Sequence, residues 1–146
     1  MPVRKKQPAS GVTEVFLSHS SKDLVFTKKL AAVLRDHGVP VWYSERDIKG
    51  AQQWHDEIGA ALERCDWMVL ILTPNAIASK WVKRELLFAL DEERYRDRLV
   101  PIGAKACSLK ELSWVISQMQ MIKFDRRFRE GCRELLKVWG LGLRPS

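Results

Sequence analysis

The sequence has few cysteines and no long apolar run. Its three cysteines, Cys65, Cys107 and Cys132, lie far apart in a chain of 146 residues and form no CxxC pair. This spacing indicates neither a zinc ribbon nor a disulfide framework, and it is typical of a reducing compartment. No apolar stretch approaches the ~18–20 residues that a membrane-spanning helix needs, and no signal-peptide segment follows the basic start. The sequence therefore predicts a cytoplasmic protein with no membrane contact.

The motifs of several common catalytic sites are also missing. The chain contains no GxGxxG, GxxxxGKS/T, HExxH or GxSxG pattern. Its three histidines, His19, His37 and His55, share no metal-ligand spacing with the cysteines. These absences disfavour a phosphate-loop NTPase, a triad hydrolase and a metalloenzyme, and no bound metal is expected. Two classes of protein remain: an enzyme that uses a single carboxylate, or a protein without catalytic activity.

Positive charge is in excess, with a net charge of +7, but the excess lies at the two ends of the chain. Residues 1–10 contain three basic residues and no acidic one, and residues 123–146 contain seven basic and three acidic residues. Positive and negative charges balance over residues 11–122. Proteins that recognise nucleic acid carry their charge on a folded stripe with groove-reading or aromatic elements. This distribution therefore does not favour nucleic-acid binding.

The length predicts one domain, preceded by a short leader. Residues 1–10 are polar and contain two prolines, which predicts a disordered basic leader before a single domain over 11–146. Within that domain, short apolar runs alternate with segments of helical period, as expected for an α/β parallel sheet with helices on both faces. The predicted strands are 15–17, 39–43, 67–72, 99–102 and 121–124. The third run is continuously apolar, which predicts a central strand, and 103–118 is expected to hold only a short helix.

Polar side chains follow the predicted strands, at the edge of a parallel sheet where ligands bind. Ser20 stands after the first strand and Ser79 before the third helix, and helix capping alone can explain both. His19 is neither a good cap nor a core residue, so it either lines a crevice or fills a gap. Ser44 follows the second strand, where turn formation is the alternative role.

Trp81 and Glu85 form an i, i+4 pair on the third predicted helix. The adjacent apolar stripe should face the sheet: Val82, Leu86 and Ala89. Glu85 would then lie at the margin of the core beside an indole, where a carboxylate can bind sugar hydroxyls and stabilise developing positive charge. The alternative is an exposed glutamate paired with Arg84 or Lys83.

Four segments in order carry a family resemblance. They are "VFLSHSSKD" (15–23), "VWYSERDIKGAQQWHDEI" (41–58), "WMVLILTPNAIASKWVKREL" (67–86) and "FDRRF" (124–128). Together they resemble the Toll/interleukin-1 receptor (TIR) domain in its bacterial form, over residues 12–139. The resemblance implies a flavodoxin-like sheet of five parallel strands in the order 2-1-3-4-5, so that 11–146 would be a single TIR domain.

The resemblance also implies a function, because many bacterial, plant and axonal TIR domains cleave the nicotinamide–ribose bond of NAD+. By the "WVKRE" match, the catalytic glutamate would be Glu85, with His19, Ser20, Ser44 and Trp81 as substrate-binding residues. Many bacterial relatives have an aspartate in place of Ser44, and the chain has no arginine at positions 20 and 21. NAD+ would be the substrate, with no separate cofactor.

The expected activity is that of an NAD+ glycohydrolase that yields ADP-ribose or a cyclic ADP-ribose, in antiviral defence or as an effector. The loop 45–53 is expected to mediate TIR–TIR self-association, and other TIR or defence proteins are expected partners. Animal TIR domains mostly signal by association, so a non-catalytic interaction module is the alternative. A related nucleoside transferase is a third interpretation.

Overall fold

Five parallel strands form the centre of the computed structural model, which describes residues 12–44, 54–125 and 127–145. In chain order they are β1 (Val15–Ser18), β2 (Val41–Trp42), β3 (Trp67–Leu72), β4 (Leu99–Gly103) and β5 (Ile122–Lys123). All neighbouring pairs are parallel, in the order β2-β1-β3-β4-β5. The predicted α/β flavodoxin-like sheet is confirmed. The predicted leader 1–10 and the loop 45–53 lie outside the described residues.

The helices connect the strands and cover the sheet on both faces. They are α1 (Leu24–Asp36), α2 (Gly59–Arg64), α3 (Pro74–Ile77), α4 (Lys80–Asp91), α5 (Leu109–Leu112), α6 (Trp114–Ser117) and α7 (Phe128–Val138). A 3₁₀ turn, Ser21–Asp23, precedes α1, and a π-helical turn, Trp54–Ile58, leads into α2. Within the described ranges, no helix is long and apolar enough to span a bilayer. The segment predicted to hold one short helix contains two, α5 and α6.

The central strand β3 supplies both halves of the core. Val69 and Ile71 pack with residues of α1 and α7 on one face, and Met68, Leu70 and Leu72 pack with residues of α2 and α4 on the other. Successive side chains of a strand point to opposite faces, so a strand buried on both faces must be apolar at every position. This confirms the central place that the apolar run predicts.

Two glycines end helices as their positions predict. Gly38 after α1 has φ +83° and Gly140 after α7 has φ +74°. Side chains with a Cβ rarely adopt this left-handed conformation, whereas glycine adopts it without steric cost. The first of these turns leads the chain from α1 directly into β2, which pairs with β1.

Replacing Gly131 by Ala should destabilise the fold. A Cβ at this position of α7 would lie 2.5 Å from two ring carbons of Phe124, which is only 4% exposed. We expect overpacking to lower the free energy of unfolding by ~1–3 kcal/mol, more than the ~1 kcal/mol that alanine gains over glycine in a helix. Urea unfolding measures the change. Gly142→Ala, where an added Cβ meets nothing within 4 Å, is the control, and an equal effect of both variants would contradict the prediction.

Candidate active site

The candidate site lies at the carboxyl edge of the sheet, beside the ends of β1 and β3. These two strands are neighbours, with Ser18 opposite Leu70. The chain leaves β1 to form β2 on one side and later returns to form β3 on the other, so strand order reverses between them. Ligands of open α/β sheets bind at such a reversal. The end of β1 meets the helix α4 here, at the contact between Ser18 and Glu85.

Glu85 is a buried residue of α4, with only 5% of its surface exposed. Its Oε1 accepts a hydrogen bond of 2.7 Å from the Oγ of Ser18, the last residue of β1, which is fully buried. The interpretation of Glu85 as an exposed glutamate paired with Arg84 or Lys83 is therefore wrong. Helical geometry explains this, because Glu85 lies three residues after the buried Val82 and four before the buried Ala89, and residues at these spacings share one face of α4.

Burial also changes the acidity of Glu85. Loss of solvent raises the pKa of its carboxyl group from 4.5 to about 8, and the Ser18 hydrogen bond opposes this rise. Desolvation disfavours the charged form, whereas a hydrogen bond to the carboxylate favours it. The carboxyl group is therefore mostly protonated at neutral pH, and a cation placed beside it would favour its ionisation.

His19 and Ser44 lie together on the β2 side of the site. The His19 Nδ1 is 3.2 Å from the carbonyl oxygen of Leu17, its ring meets Tyr43 edge-on at 6.1 Å between centroids, and the Ser44 backbone forms a further hydrogen bond. Burial lowers the pKa of His19, so the imidazole is neutral at neutral pH. The structure thus brings Ser44 and His19 together.

Ser20 is buried and acts as a cap. Its Oγ accepts a hydrogen bond of 3.2 Å from the backbone N–H of Lys22, at the start of the 3₁₀ turn. Only 6% of Ser20 is exposed. Capping of the turn is therefore sufficient to explain a serine at position 20. The role of Ser20 in substrate binding stays a prediction.

Trp81 lies one turn before Glu85 on α4 and is half-buried. The Arg84 guanidinium stands 5.0 Å from the centroid of its indole ring. A cation in this position is attracted by the π face and restricts the ring. The helix therefore presents an aromatic surface close in sequence to the buried carboxyl group.

Asp23 is a residue of this edge that the sequence reasoning missed. Its carboxylate accepts hydrogen bonds from Thr73 Oγ1 at 2.5 Å and from Asn75 Nδ2 at 3.0 Å, and only 8% of the residue is exposed. Its partners follow β3, fifty residues further along the chain. A polar residue after each strand was the only signal available, and it is equally typical of turns.

No metal centre accompanies these groups in the part of the chain that the structure describes. Over 12–44, 54–125 and 127–145, no three His, Cys, Asp or Glu side chains come together as metal ligands. The chemically distinctive group of the described site is the desolvated carboxyl group of Glu85.

Comparisons with known proteins agree on one family. A family model described as a TIR domain matches residues 15–136. The NAD(+) hydrolase PdTIR of Paracoccus denitrificans is 30% identical over 115 residues, which cover 77% of this chain and 38% of that protein. The 2' cyclic ADP-D-ribose synthase BtTIR of Bacteroides thetaiotaomicron is 30% identical over 74 residues, which cover 50% of this chain and 26% of that protein. The match thus spans well under half the length of either relative.

A solved structure shares the fold. The TIR domain of the Toll-related receptor TRR-2 from Hydra magnipapillata superposes with a TM-score of 0.68 and covers 85% of this chain and 95% of its own. The two sequences are 16% identical. This likeness concerns the fold, which is the flavodoxin-like arrangement of the five strands described above.

Proposed function

Because the chain belongs to the TIR domain family, we propose that it cleaves the nicotinamide–ribose bond of NAD+. The observation that carries this proposal is the carboxyl group of Glu85, which is buried beside β1, held by Ser18 and preceded by Trp81 at the WxxxE spacing. The products are nicotinamide and ADP-ribose or a cyclic ADP-ribose. The relatives named as an NAD(+) hydrolase and a 2' cyclic ADP-D-ribose synthase support this chemistry. Antiviral defence or effector signalling is the proposed setting.

A single carboxylate suits this reaction. The nicotinamide of NAD+ is a pyridinium, so it departs with the electron pair of the C–N bond as a neutral molecule and needs no general acid, unlike the leaving group of an ordinary glycoside. The ribose carbon becomes cationic in the transition state. Glu85 accepts hydrogen bonds from the ribose hydroxyls and stabilises this charge. Water or a hydroxyl of the same nucleotide then forms the new bond at the ribose carbon and releases its proton to solvent.

The substrate itself favours the active form of Glu85. Burial keeps the carboxyl group protonated up to about pH 8 in the free protein. A pyridinium beside it attracts the carboxylate form and lowers the pKa again. As the pH is raised, kcat should therefore increase at a lower pH than kcat/KM does, because kcat reports the substrate complex and kcat/KM reports the free enzyme.

The other predicted residues bind NAD+ in this proposal. Trp81 offers an aromatic surface, and His19, as a neutral imidazole, and Ser44 contact polar groups of the nucleotide. Ser20 completes this set, with its Oγ able to donate a hydrogen bond while it caps the turn. NAD+ is the substrate, and no separate cofactor is required.

Assembly is the second part of the proposal. The loop 45–53 binds another TIR domain head to tail, and the assembled form is the active one. Contacts between two different surfaces produce open filaments rather than closed dimers. Other TIR or defence proteins are proposed partners of the same kind.

Cleavage of NAD+ by the purified protein tests both parts. We expect NAD+ loss and nicotinamide release, with activity per molecule that rises with protein concentration as light scattering detects assembly. Chromatography resolves linear from cyclic products. NAD+ that stays intact under crowding would instead support the alternative, a non-catalytic interaction module, and constant specific activity of a monomer over a wide dilution series would contradict the role of assembly.

Replacing Ser18 by Ala should move the pH profile. The hydroxyl group stabilises the ionised form of Glu85, and a hydrogen bond to a charged group is worth ~1.5–3 kcal/mol, or about one to two pH units. The rising limb of kcat/KM should shift to higher pH by about that amount. Tyr95→Phe, which removes a buried hydroxyl group that donates to the backbone oxygen of Leu62 at the opposite edge of the sheet, is the control. An unchanged limb in Ser18→Ala would show that this hydrogen bond does not set the ionisation of Glu85.

A further inference from the structure

Asp23 stands where a helix cap is expected but does not act as one. It precedes the first residue of α1, a position where aspartate commonly accepts hydrogen bonds from the free backbone N–H groups of the helix. Its side chain makes no such bond. Both carboxylate oxygens instead accept hydrogen bonds from the segment after β3, at Thr73 and Asn75. The Asp23 side chain therefore stabilises a contact between two segments at the edge of the sheet rather than the first turn of α1.

Two side-chain bridges join the same pair of segments. Ser18 donates to Glu85, and Thr73 and Asn75 donate to Asp23. One segment, 18–23, begins with the last residue of β1, and the other, 73–85, contains α3 and the first half of α4. His19 and Ser20 lie between the bridges on the first segment, and Trp81 lies between them on the second.

The second bridge is built to be rigid. Asp23 is 8% exposed and Thr73 is 2% exposed. Thr73 Oγ1 also accepts the backbone N–H of Ala76 and so caps α3, and Thr27 Oγ1 donates to the backbone oxygen of Asp23. Buried hydrogen bonds to a charged group are strong and costly to break. Movement of the first segment away from the second would break several bonds together.

We propose that Asp23 is a positioning residue for NAD+ cleavage, which sets the separation between the turn carrying His19 and the helix carrying Trp81. This inference rests on the proposed function. Asp23 has both oxygens engaged by protein donors and acts through these neighbours rather than on the substrate. Because Ser18 holds Glu85 through the other bridge, loss of Asp23 should weaken NAD+ binding more than it slows the chemical step.

Two substitutions break the Asp23 bridge from opposite sides. Asp23→Asn keeps the size of the side chain and removes its charge and one acceptor. Asn75→Ala removes one donor and leaves the caps of α3 and α4 in place. Asp66→Asn is the matched control, because it weakens a carboxylate bridge at the opposite edge of the sheet, where Asp66 precedes β3 and accepts hydrogen bonds from the backbone N–H groups of Thr13 and Glu14.

We expect Asp23→Asn to raise KM for NAD+ about tenfold, with a smaller change in kcat, since tenfold corresponds to the ~1.4 kcal/mol of one hydrogen bond. Asn75→Ala should also raise KM. The increase in binding free energy for the double variant should be smaller than the sum of the two single increases, because both substitutions remove the same hydrogen bond. Asp66→Asn should leave KM unchanged. Wild-type KM in folded Asp23→Asn and Asn75→Ala would overturn the proposal.

An amide NMR comparison separates this proposal from the proposed function. Asp23→Asn should shift the amide signals of 18–20 and 79–85 and leave those of 95–98, at the opposite edge of the sheet, in place, whether or not the wild-type protein cleaves NAD+. A wild-type protein without activity would refute the function alone. Unshifted amides at 79–85 would refute the positioning role.

Discussion

Glu85→Gln should lower the rate of NAD+ cleavage by about 100- to 1,000-fold, which corresponds to ~2.7–4 kcal/mol in the barrier. Glutamine keeps the shape of the side chain and can still accept the hydrogen bond from Ser18. It lacks the negative charge that, in the proposed mechanism, stabilises the cationic ribose. The substitution therefore removes transition-state stabilisation while leaving the fold and the assembly surfaces intact, and single-turnover assays on the assembled protein measure the loss.

Trp81→Ala is the comparison variant for this result. Removal of a half-buried indole should weaken NAD+ binding and also loosen α4, so this variant should lose both activity and stability. Circular dichroism and light scattering show which variants remain folded and able to assemble. Wild-type turnover by folded Glu85→Gln would refute the catalytic role of Glu85 and favour the interaction module.

The stability of the protein should fall as the pH rises, and Glu85 should be the cause. The pKa of this group is raised from 4.5 to about 8 by folding, so its contribution is fully present below pH 4.5 and is lost as the pH rises through 8. At 1.36 kcal/mol per pH unit, the loss is roughly 5 kcal/mol. An exposed glutamate would produce no such slope.

Glu85→Gln should remove this dependence and cross the wild-type curve. At acidic pH the variant should be the less stable protein, because the buried amide leaves a donor unpaired at a cost of ~1–3 kcal/mol. Above pH 8 it should be the more stable one, since the wild type must then bury a charge. Urea unfolding of both proteins at pH 5, 7 and 9 measures the difference in stability on each side of the crossing point. Parallel curves for the two proteins would contradict the assignment, and Glu130→Gln at an exposed position should follow the wild type.

Most of the fold can be predicted from the sequence because it depends on local patterns. The continuous apolar run of β3 predicts its burial on both faces, and Gly38 predicts the end of α1. Strand lengths are less predictable. The run 39–43 predicts a strand of that length, but only Val41–Trp42 pairs with β1. Pairing depends on the neighbouring strand rather than on the run itself.

The candidate site is less predictable for a physical reason. The WxxxE spacing locates Glu85, but the hydrogen-bond partner of its carboxyl group is Ser18, 67 residues earlier in the chain. Asp23 and Thr73 are 50 residues apart. Helical and strand periods describe neighbours in sequence, so they cannot show which distant polar groups meet at the edge of a sheet.

The buried carboxyl group of Glu85 has a consequence for substrate choice. In the proposed mechanism, the charge of the oxidised nicotinamide ring favours the ionisation of Glu85, the group that stabilises the cationic ribose. Reduced NADH carries a neutral dihydronicotinamide ring and lacks that charge, so it leaves Glu85 protonated. In that mechanism NADH would be a poor substrate, and the rate of cleavage would follow the oxidised fraction of the dinucleotide.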